Sequence, residues 1–345
     1  MEQLDQAQER LKAKLLGLNL DKIPISDYTR EYLRSLLLDI DETLGRFNQV
    51  LLRGLRAADK PIGNLTILDF GGGAGLLSFL AIEAGAQKVV YNDIFKGSCD
   101  DVIQLSIACN LGFETVICGD HTELVSHLNE SKTVVDLILS YDVIEHVYDV
   151  SQMFYEFQKL IFRPKVLVFG SGANIKNPFY VRNVSRIQQN VEMNDRQDYA
   201  GHKKSDLLES YFSMRKKIIS RHRSELTEKE VNLLAAKSRG LIEKDIVKLV
   251  DHFLEYNEFS YTPRHLTNTC DPLTGNWCEQ LLDQGELLSL ASRAGDKARL
   301  YKGKYTVRAA NWTNVKRFLM NLANLTFLKF GMSFSPFYIL VVLPS

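Results

Sequence analysis

The chain has 345 residues, 45% apolar and 24% charged, with 21 glycines and 8 prolines. This length exceeds what one hydrophobic core usually organises, so one large domain with an insertion, or two domains, is expected, and the composition excludes a collagenous or linker-like protein. Lysine plus arginine and aspartate plus glutamate both number 42, which argues against a wholesale nucleic-acid or anionic-membrane binder. The five cysteines, Cys99, Cys109, Cys118, Cys270 and Cys278, form no CxxC pair. Neither a zinc site nor a disulfide framework is indicated, and a reduced, cytoplasmic setting is expected.

Residues 1 to about 60 read as helices, an N-terminal helical cap. They carry no apolar leader of the secretory kind. SDYTREYLRSLLLDIDETLGRFNQVLLRGLRAADKP has apolar positions at three- and four-residue spacing, a Ser26/Asp27 start signal and a Pro61 stop. From 61 to about 175 short β-branched runs alternate with helical stretches: LTILDF, KVVYND, ETVICGD, VDLILSYD and KVLVFGSG. Such alternation predicts a parallel sheet covered on both faces, which binds ligands at the carboxyl ends of its strands near the point where strand order reverses.

After Gly172 the rhythm breaks, and 176–279 reads as a mainly helical insertion or substrate lid. SDLLESYFSMRKKIISRHRSEL and TEKEVNLLAAKSRGLIEKDIVKLVDHFLEYNEF predict two long charged helices joined near Thr227, with Glu230 completing a capping box. A turn-rich loop, FSYTPRHLTNTCDPLTGNW, follows. Residues 280–345 return to the core through a helix and the strand AGDKARLYKGKY, then a helix over 311–327 and a buried strand, FYILVVL. The apolar stretch Phe318–Leu343 is broken by Asn321, Asn324, Lys329 and Pro336, so no membrane span is expected.

The strongest chemical signal is ILDFGGGAG followed by KVVYND. Gly71, Gly73 and Gly75 follow a strand ending near Asp69 and open a helix; lacking Cβ atoms, they let backbone N–H groups approach a ligand at a helix N-terminus. A glycine loop alone is weak evidence, because nicotinamide-binding enzymes use a related one. Here, however, Leu76 occupies the sixth position where their pattern carries Gly or Ala. With Asp93 ending the second strand, Asp120 ending TVICGD and the fourth-strand motif VDLILSYDVIEHV, the chain resembles the class I S-adenosylmethionine-dependent methyltransferases. A DVxEHV motif recurs among the small-molecule enzymes of that superfamily.

The resemblance implies an α/β fold: a Rossmann-like seven-stranded sheet with helices on both faces and the insertion after strand five. It implies S-adenosylmethionine as cofactor and S-adenosylhomocysteine as product, with no divalent metal expected. Asp69, Gly71, Gly72, Gly73, Gly75, Asp93, Ile94, Asp120, His121 and Tyr141 are the implied cofactor residues, Asp93 at the ribose hydroxyls and Asp120 at the adenine amino group. An activated sulfonium methyl mainly requires the acceptor to be held in line. A hydroxyl or ammonium acceptor also needs a base. Asp142, Glu145 and His146 are the candidates, expected on one helical turn and one face by their i,i+3 and i,i+4 spacing. The same triplet also fits a structural cap or a metal site. Tyr199, His202, Arg264, His265 and Trp277 are the expected acceptor contacts, and Cys109 and Cys118 read as core residues.

The expected function is methyl transfer to an oxygen or nitrogen of a small metabolite or biosynthetic intermediate. The alternatives are an RNA or protein methyltransferase using the basic helices, where Arg215, Lys216, Lys217, Arg221 and Arg223 would line a groove, and an inactive cofactor-binding scaffold. Nucleic acid is not the expected partner, and a homo-oligomer through the insertion is conceivable on this reading. Net charge zero is a sum of unlike parts: 61–194 holds 9 Lys/Arg against 15 Asp/Glu, whereas 195–249 holds 13 against 9.

Overall fold

The computed structural model describes residues 2–197, 207–263, 265–293, 297–308, 311–326 and 331–344. They divide into two compact units, the first comprising 1–144, 149–177 and 283–345, the second 145–148 and 178–282.

Unit 1 opens with three helices, α1 (Glu2–Leu16), α2 (Asp27–Leu37) and α3 (Ile40–Ala58). Ser26 caps α2 as the sequence indicates, its side chain accepting from the Thr29 N–H, and its own N–H and hydroxyl donate to Asp101. These helices are built into the unit: α3 packs on three strands of the sheet and α1 packs on α3. The alternating region follows as β1 (Thr66–Phe70), α4 (Leu76–Glu83), β2 (Lys88–Asp93), α5 (Lys96–Cys109), β3 (Thr115–Cys118), α6 (His121–Glu130), β4 (Leu137–Tyr141), α7 (Val150–Phe157) and β5 (Val166–Ser171).

Unit 2 contains α8 (Pro178–Met193), a short antiparallel pair β6 (Arg196–Gln197) and β7 (Leu207–Leu208), then α9 (Tyr211–His222), α10 (Glu228–Lys237) and α11 (Glu243–Tyr256). The predicted pair of long helices is thus three, and α8 goes beyond the sequence reading. The break falls at Gly240, whose φ of +85° and proximity to Trp277, 2.7 Å from where a Cβ would stand, admit only glycine comfortably. The charge pattern runs on through Ser238-Arg239-Gly240, so periodicity alone did not register the turn. The Thr227/Glu230 capping box is present at the start of α10. Ile218, Ile219, Leu234, Ile246 and Val250 form a core belonging to this unit.

The chain returns to unit 1 with α12 (Gln284–Arg293), β8 (Lys297–Lys302), α13 (Trp312–Thr326) and β9 (Tyr338–Leu343). The sheet has seven strands in the order β3-β2-β1-β4-β5-β9-β8, with β9 antiparallel to both neighbours. Strand order reverses between β1 and β4, the place where α/β sheets open a crevice at their carboxyl ends. Alternate residues serve opposite faces. Ile67, Leu137, Leu139, Val166 and Val168 join the core beneath α3 and α4, whereas Phe70 and Phe169 meet Phe157 and Phe154 of α7 edge-on at 5.4 and 5.6 Å.

Candidate functional site

The loop from Phe70 to Leu76 leaves β1 at the topological switch. Gly71, Gly73 and Gly75 all have positive φ, +70°, +52° and +77°. A side chain at Gly71 would also strike Val143, 2.5 Å away, whereas at Gly73 the nearest atom is Cε1 of Tyr32 at 3.6 Å. Gly73 therefore presents bare backbone to open space beneath an aromatic ring. Tyr32 is 41% exposed and stacks with Tyr28 one turn earlier on α2, ring centroids 6.2 Å apart. Sequence reasoning missed this pair; its signal, two tyrosines four apart opening an amphipathic helix, is indistinguishable from ordinary surface packing.

Acidic residues brace the loop. Asp69 is buried, and its Oδ2 accepts from the Ser78 N–H at 3.0 Å and the Ser78 hydroxyl at 2.7 Å, fixing the first turn of α4. Burial pushes its carboxyl up to about 7, the Ser78 bonds oppose the rise, and the neighbouring Asp93 charge adds to it. Asp93 takes the Gly73 N–H on Oδ2 and the Phe95 N–H on Oδ1, both at 2.9 Å. Tyr91 donates to the Gly73 carbonyl at 2.6 Å, and the Gly72 N–H donates to the Asn92 carbonyl at 2.8 Å. The loop and the end of β2 are thus one hydrogen-bonded piece.

Asp120 caps α6, accepting on Oδ1 from the Thr122 and Glu123 N–H groups, while Oδ2 takes no bond among the described residues. His121 is the first residue of α6. The Gly119 N–H donates to the Asp93 carbonyl at 2.9 Å, tying the ends of β2 and β3 together. Between them Ile94 is 59% exposed and Phe95 44% exposed, an apolar pair at a strand end. Tyr141 ends β4 with its ring against Phe47 and Phe337 at 5.2 and 5.8 Å.

These residues fit a nucleoside-bearing cofactor. Both Asp93 oxygens accept a backbone N–H, and a carboxylate is the group type that also accepts from ribose hydroxyls. Oδ2 of Asp120 is available to an amino group, Ile94 offers a face for a flat base, and Gly73 has no side chain to obstruct the approach.

The fourth-strand triplet differs from expectation. Asp142, Glu145 and His146 do not share a helical face: residues 144–146 form a turn, and α7 starts only at Val150, capped by Asp149. Asp142 has φ +54°, which ends the strand and lets its Oδ1 accept from the Gly172 N–H at 2.7 Å. Glu145 is 1% exposed. His146 belongs to unit 2, where its Nδ1 lies 2.8 Å from the Trp277 carbonyl and its Nε2 lies 3.8 Å from Oε1 of Glu279. A carbonyl can only accept, so Nδ1 carries the proton and Nε2 of the neutral ring holds the lone pair.

Glu279 was not singled out from the sequence. It has φ +53°, an unusual conformation for a non-glycine residue, and accepts from the Tyr180 hydroxyl on Oε2 at 2.7 Å. Trp277 is 8% exposed, stacks with Tyr148 at 6.2 Å and donates through Nε1 to the Tyr148 carbonyl. His265 is held in its loop by Thr267, its pKa lowered by burial and the nearby Arg239 charge. Tyr199, His202 and Arg264 lie outside the described residues. Among the described residues no group of three or more His, Cys, Asp or Glu side chains gathers to hold a metal ion.

Of the two cysteines read as core, Cys109 is buried with its thiol pushed up to about 11 by that burial, whereas Cys118 is exposed on the last position of β3. A strand at the edge of the sheet leaves its outer residues uncovered.

The basic helix of unit 2 does not line an open groove. Arg215 is fully buried, with Nε donating to the Ala235 carbonyl at 2.9 Å and the guanidinium paired with Glu192. Lys216, Lys217, Arg221 and Arg223 pair with Glu228, Glu209, Glu243 and Asp251.

Residues 68–168 match a protein family described as a methyltransferase domain. No curated protein matches the sequence. Among solved structures, a SAM-dependent methyltransferase from Agrobacterium tumefaciens aligns at 17% identity over 37% of this chain and 46% of that one, TM-score 0.29. The match thus spans less than half of that protein's length. One from Mesorhizobium loti aligns at 13% identity over 84% of this chain and 96% of that one, TM-score 0.40. One from Archaeoglobus fulgidus aligns at 14% identity over 90% and 99%, TM-score 0.40.

Proposed function

Taking as premise that the chain carries a class I S-adenosylmethionine-dependent methyltransferase domain, we propose that it moves the methyl group to an oxygen or nitrogen of a small metabolite or biosynthetic intermediate. When bound, the cofactor supplies an activated sulfonium methyl. The chain's own part is to hold and orient. Gly73 and Asp93 would fix the ribose end, Asp120 and Ile94 the base, and the Tyr28–Tyr32 pair would cover the loop.

His146 is the proposed proton acceptor. The Trp277 carbonyl holds its Nδ1–H, which leaves the lone pair on Nε2 of a side chain 35% exposed. Glu279, anchored by Tyr180, is proposed as a positioning residue that favours an imidazolium once a proton is taken. Asp142 then serves the backbone at the end of β4.

The observation carrying the small-molecule reading over the nucleic-acid one is the neutralised basic helix. Each of its five cations meets a carboxylate, which weakens the positive footprint that phosphate binding requires. The test is to supply methyl-labelled cofactor with separated small-molecule, RNA and protein fractions. Label entering the small-molecule fraction is expected; label confined to RNA or protein overturns the reading. With the acceptor in hand, His146→Ala should lower turnover by about a hundredfold or more.

A further inference from the structure

Helix α13 is amphipathic in the reverse sense. Its buried residues are Asn314 and Asn324, while Trp312, Val315, Phe318, Leu319, Leu322 and Leu325 are 42–72% exposed. Those six recur at three- and four-residue spacing and so form one continuous stripe. The inward face is held by amides. The Asn321 side chain exchanges two hydrogen bonds with the Tyr305 backbone at 2.8 and 2.9 Å, and Asn324 donates to the Gly303 carbonyl at 3.1 Å. The helix is therefore docked by its polar side, and its apolar stripe faces away from the unit that carries it.

The charge of the surrounding chain says what that stripe meets. Residues 297–345 contain Lys297, Arg299, Lys302, Lys304, Arg308, Lys316, Arg317 and Lys329 and not one aspartate or glutamate. Arg308 and Arg317 pair with acids of the N-terminal helices. Lys297, Arg299, Lys302, Lys304 and Lys316 lie in no ion pair among the described residues. The Lys316 ammonium sits 5.6 Å from the centre of the Trp312 ring, so a cation and an interface-seeking aromatic open the stripe together. No described helix is long and apolar enough to cross a membrane.

We propose that α13 lies in the surface of an anionic lipid membrane, its apolar stripe among the acyl chains and the neighbouring lysines among the headgroups. A helix with large aliphatic and aromatic residues on one side, basic side chains beside them and no acid has the composition of an interfacial helix. A second copy of the chain would bring the same acid-free, positively charged segment against itself, which opposes docking.

Flotation of the full chain with phosphatidylcholine vesicles, with and without phosphatidylserine, tests this. Binding is expected to the serine-containing vesicles and should fall as salt is added. The emission of Trp312 should shift to the blue on binding, while Trp277, 8% exposed, stays constant. The double variant Phe318→Ser/Leu322→Ser, altered only at exposed positions, should keep its melting temperature and bind at least about tenfold more weakly. Lys316→Glu should weaken binding several-fold. No binding by the unaltered chain at low salt, or undiminished binding by the double variant, overturns the proposal. A concentration-dependent dimer that the double variant dissolves, without vesicle binding, assigns the face to a second copy and overturns it equally.

Discussion

The glycine loop of unit 1 and the His146–Glu279 region of unit 2 solve backbone placement in opposite ways. In the loop the positive-φ positions at Gly71, Gly73 and Gly75 are glycines, and the side chains around them brace the backbone so that it can meet a ligand. In unit 2 a glutamate holds φ +53°, and its carboxylate is anchored by Tyr180 and faces a histidine. Where the backbone is the binding group, strain is removed by glycine; where a side chain is needed at the strained position, the strain is kept. The first arrangement leaves a sequence signature, the second leaves almost none.

Four substitutions test this contrast. The largest effect is expected at Arg215→Ala, which strands a buried Glu192 whose other bond comes from the Thr269 hydroxyl at 2.8 Å. A loss of about 3–5 kcal/mol, read by denaturant unfolding, is expected. Next, Asp93→Ala removes the acceptor for the Gly73 and Phe95 N–H groups as well as the proposed ribose contact. Cofactor affinity by isothermal titration should fall by about a hundredfold, and affinity equal to the unaltered chain would refute the cofactor assignment.

Smaller again is Glu279→Gln, which keeps the volume and an acceptor for Tyr180 but removes the charge facing His146. Turnover should fall by about tenfold with KM little changed, and the pH–rate profile should move. An unchanged profile would leave Glu279 a purely structural residue. The smallest effect in size is at Asp69→Asn. The folded carboxyl titrates near 7 against an ordinary value of 3.8, so the folded state holds a proton that the unfolded chain has already released. This residue's contribution to stability is therefore complete below about pH 4 and declines as pH rises toward and through 7. The asparagine variant, still able to accept from Ser78, should flatten that decline in melting experiments between those limits.

Legibility in the sequence followed the same divide. The alternating strands, the loop glycines and the Thr227/Glu230 box were readable because each depends on neighbours within a few positions, whereas the roles of Asp93 and Asp120 rest on the family resemblance. The conformation around Asp142 was not, because a left-handed residue replaces the helical turn that i,i+3 and i,i+4 spacing suggested. Glu279 and Trp277 act on His146 across more than 130 positions of chain, a proximity that only tertiary packing creates. The division of the second predicted helix into α10 and α11 was hidden because a charged periodic pattern continues through Gly240. Net charge zero concealed the most uneven feature of all, the acid-free stretch that follows Asp296.

The position of β9 governs how the protein can come into being. Residues 338–343 lie between β5 and β8, so a strand synthesised after both of its neighbours fills an interior place in the sheet. Until it arrives, β5 presents an unpaired edge, and β8 has no partner in the sheet at all. Closing the sheet joins Phe169 to Leu340 across about half the chain, a pairing of high sequence separation that slows folding. During translation the nascent protein would carry an open β edge beside an apolar α13, the conditions under which chaperones are engaged. Removal of residues from 338 onward should therefore yield an aggregating chain rather than a smaller, trimmed enzyme.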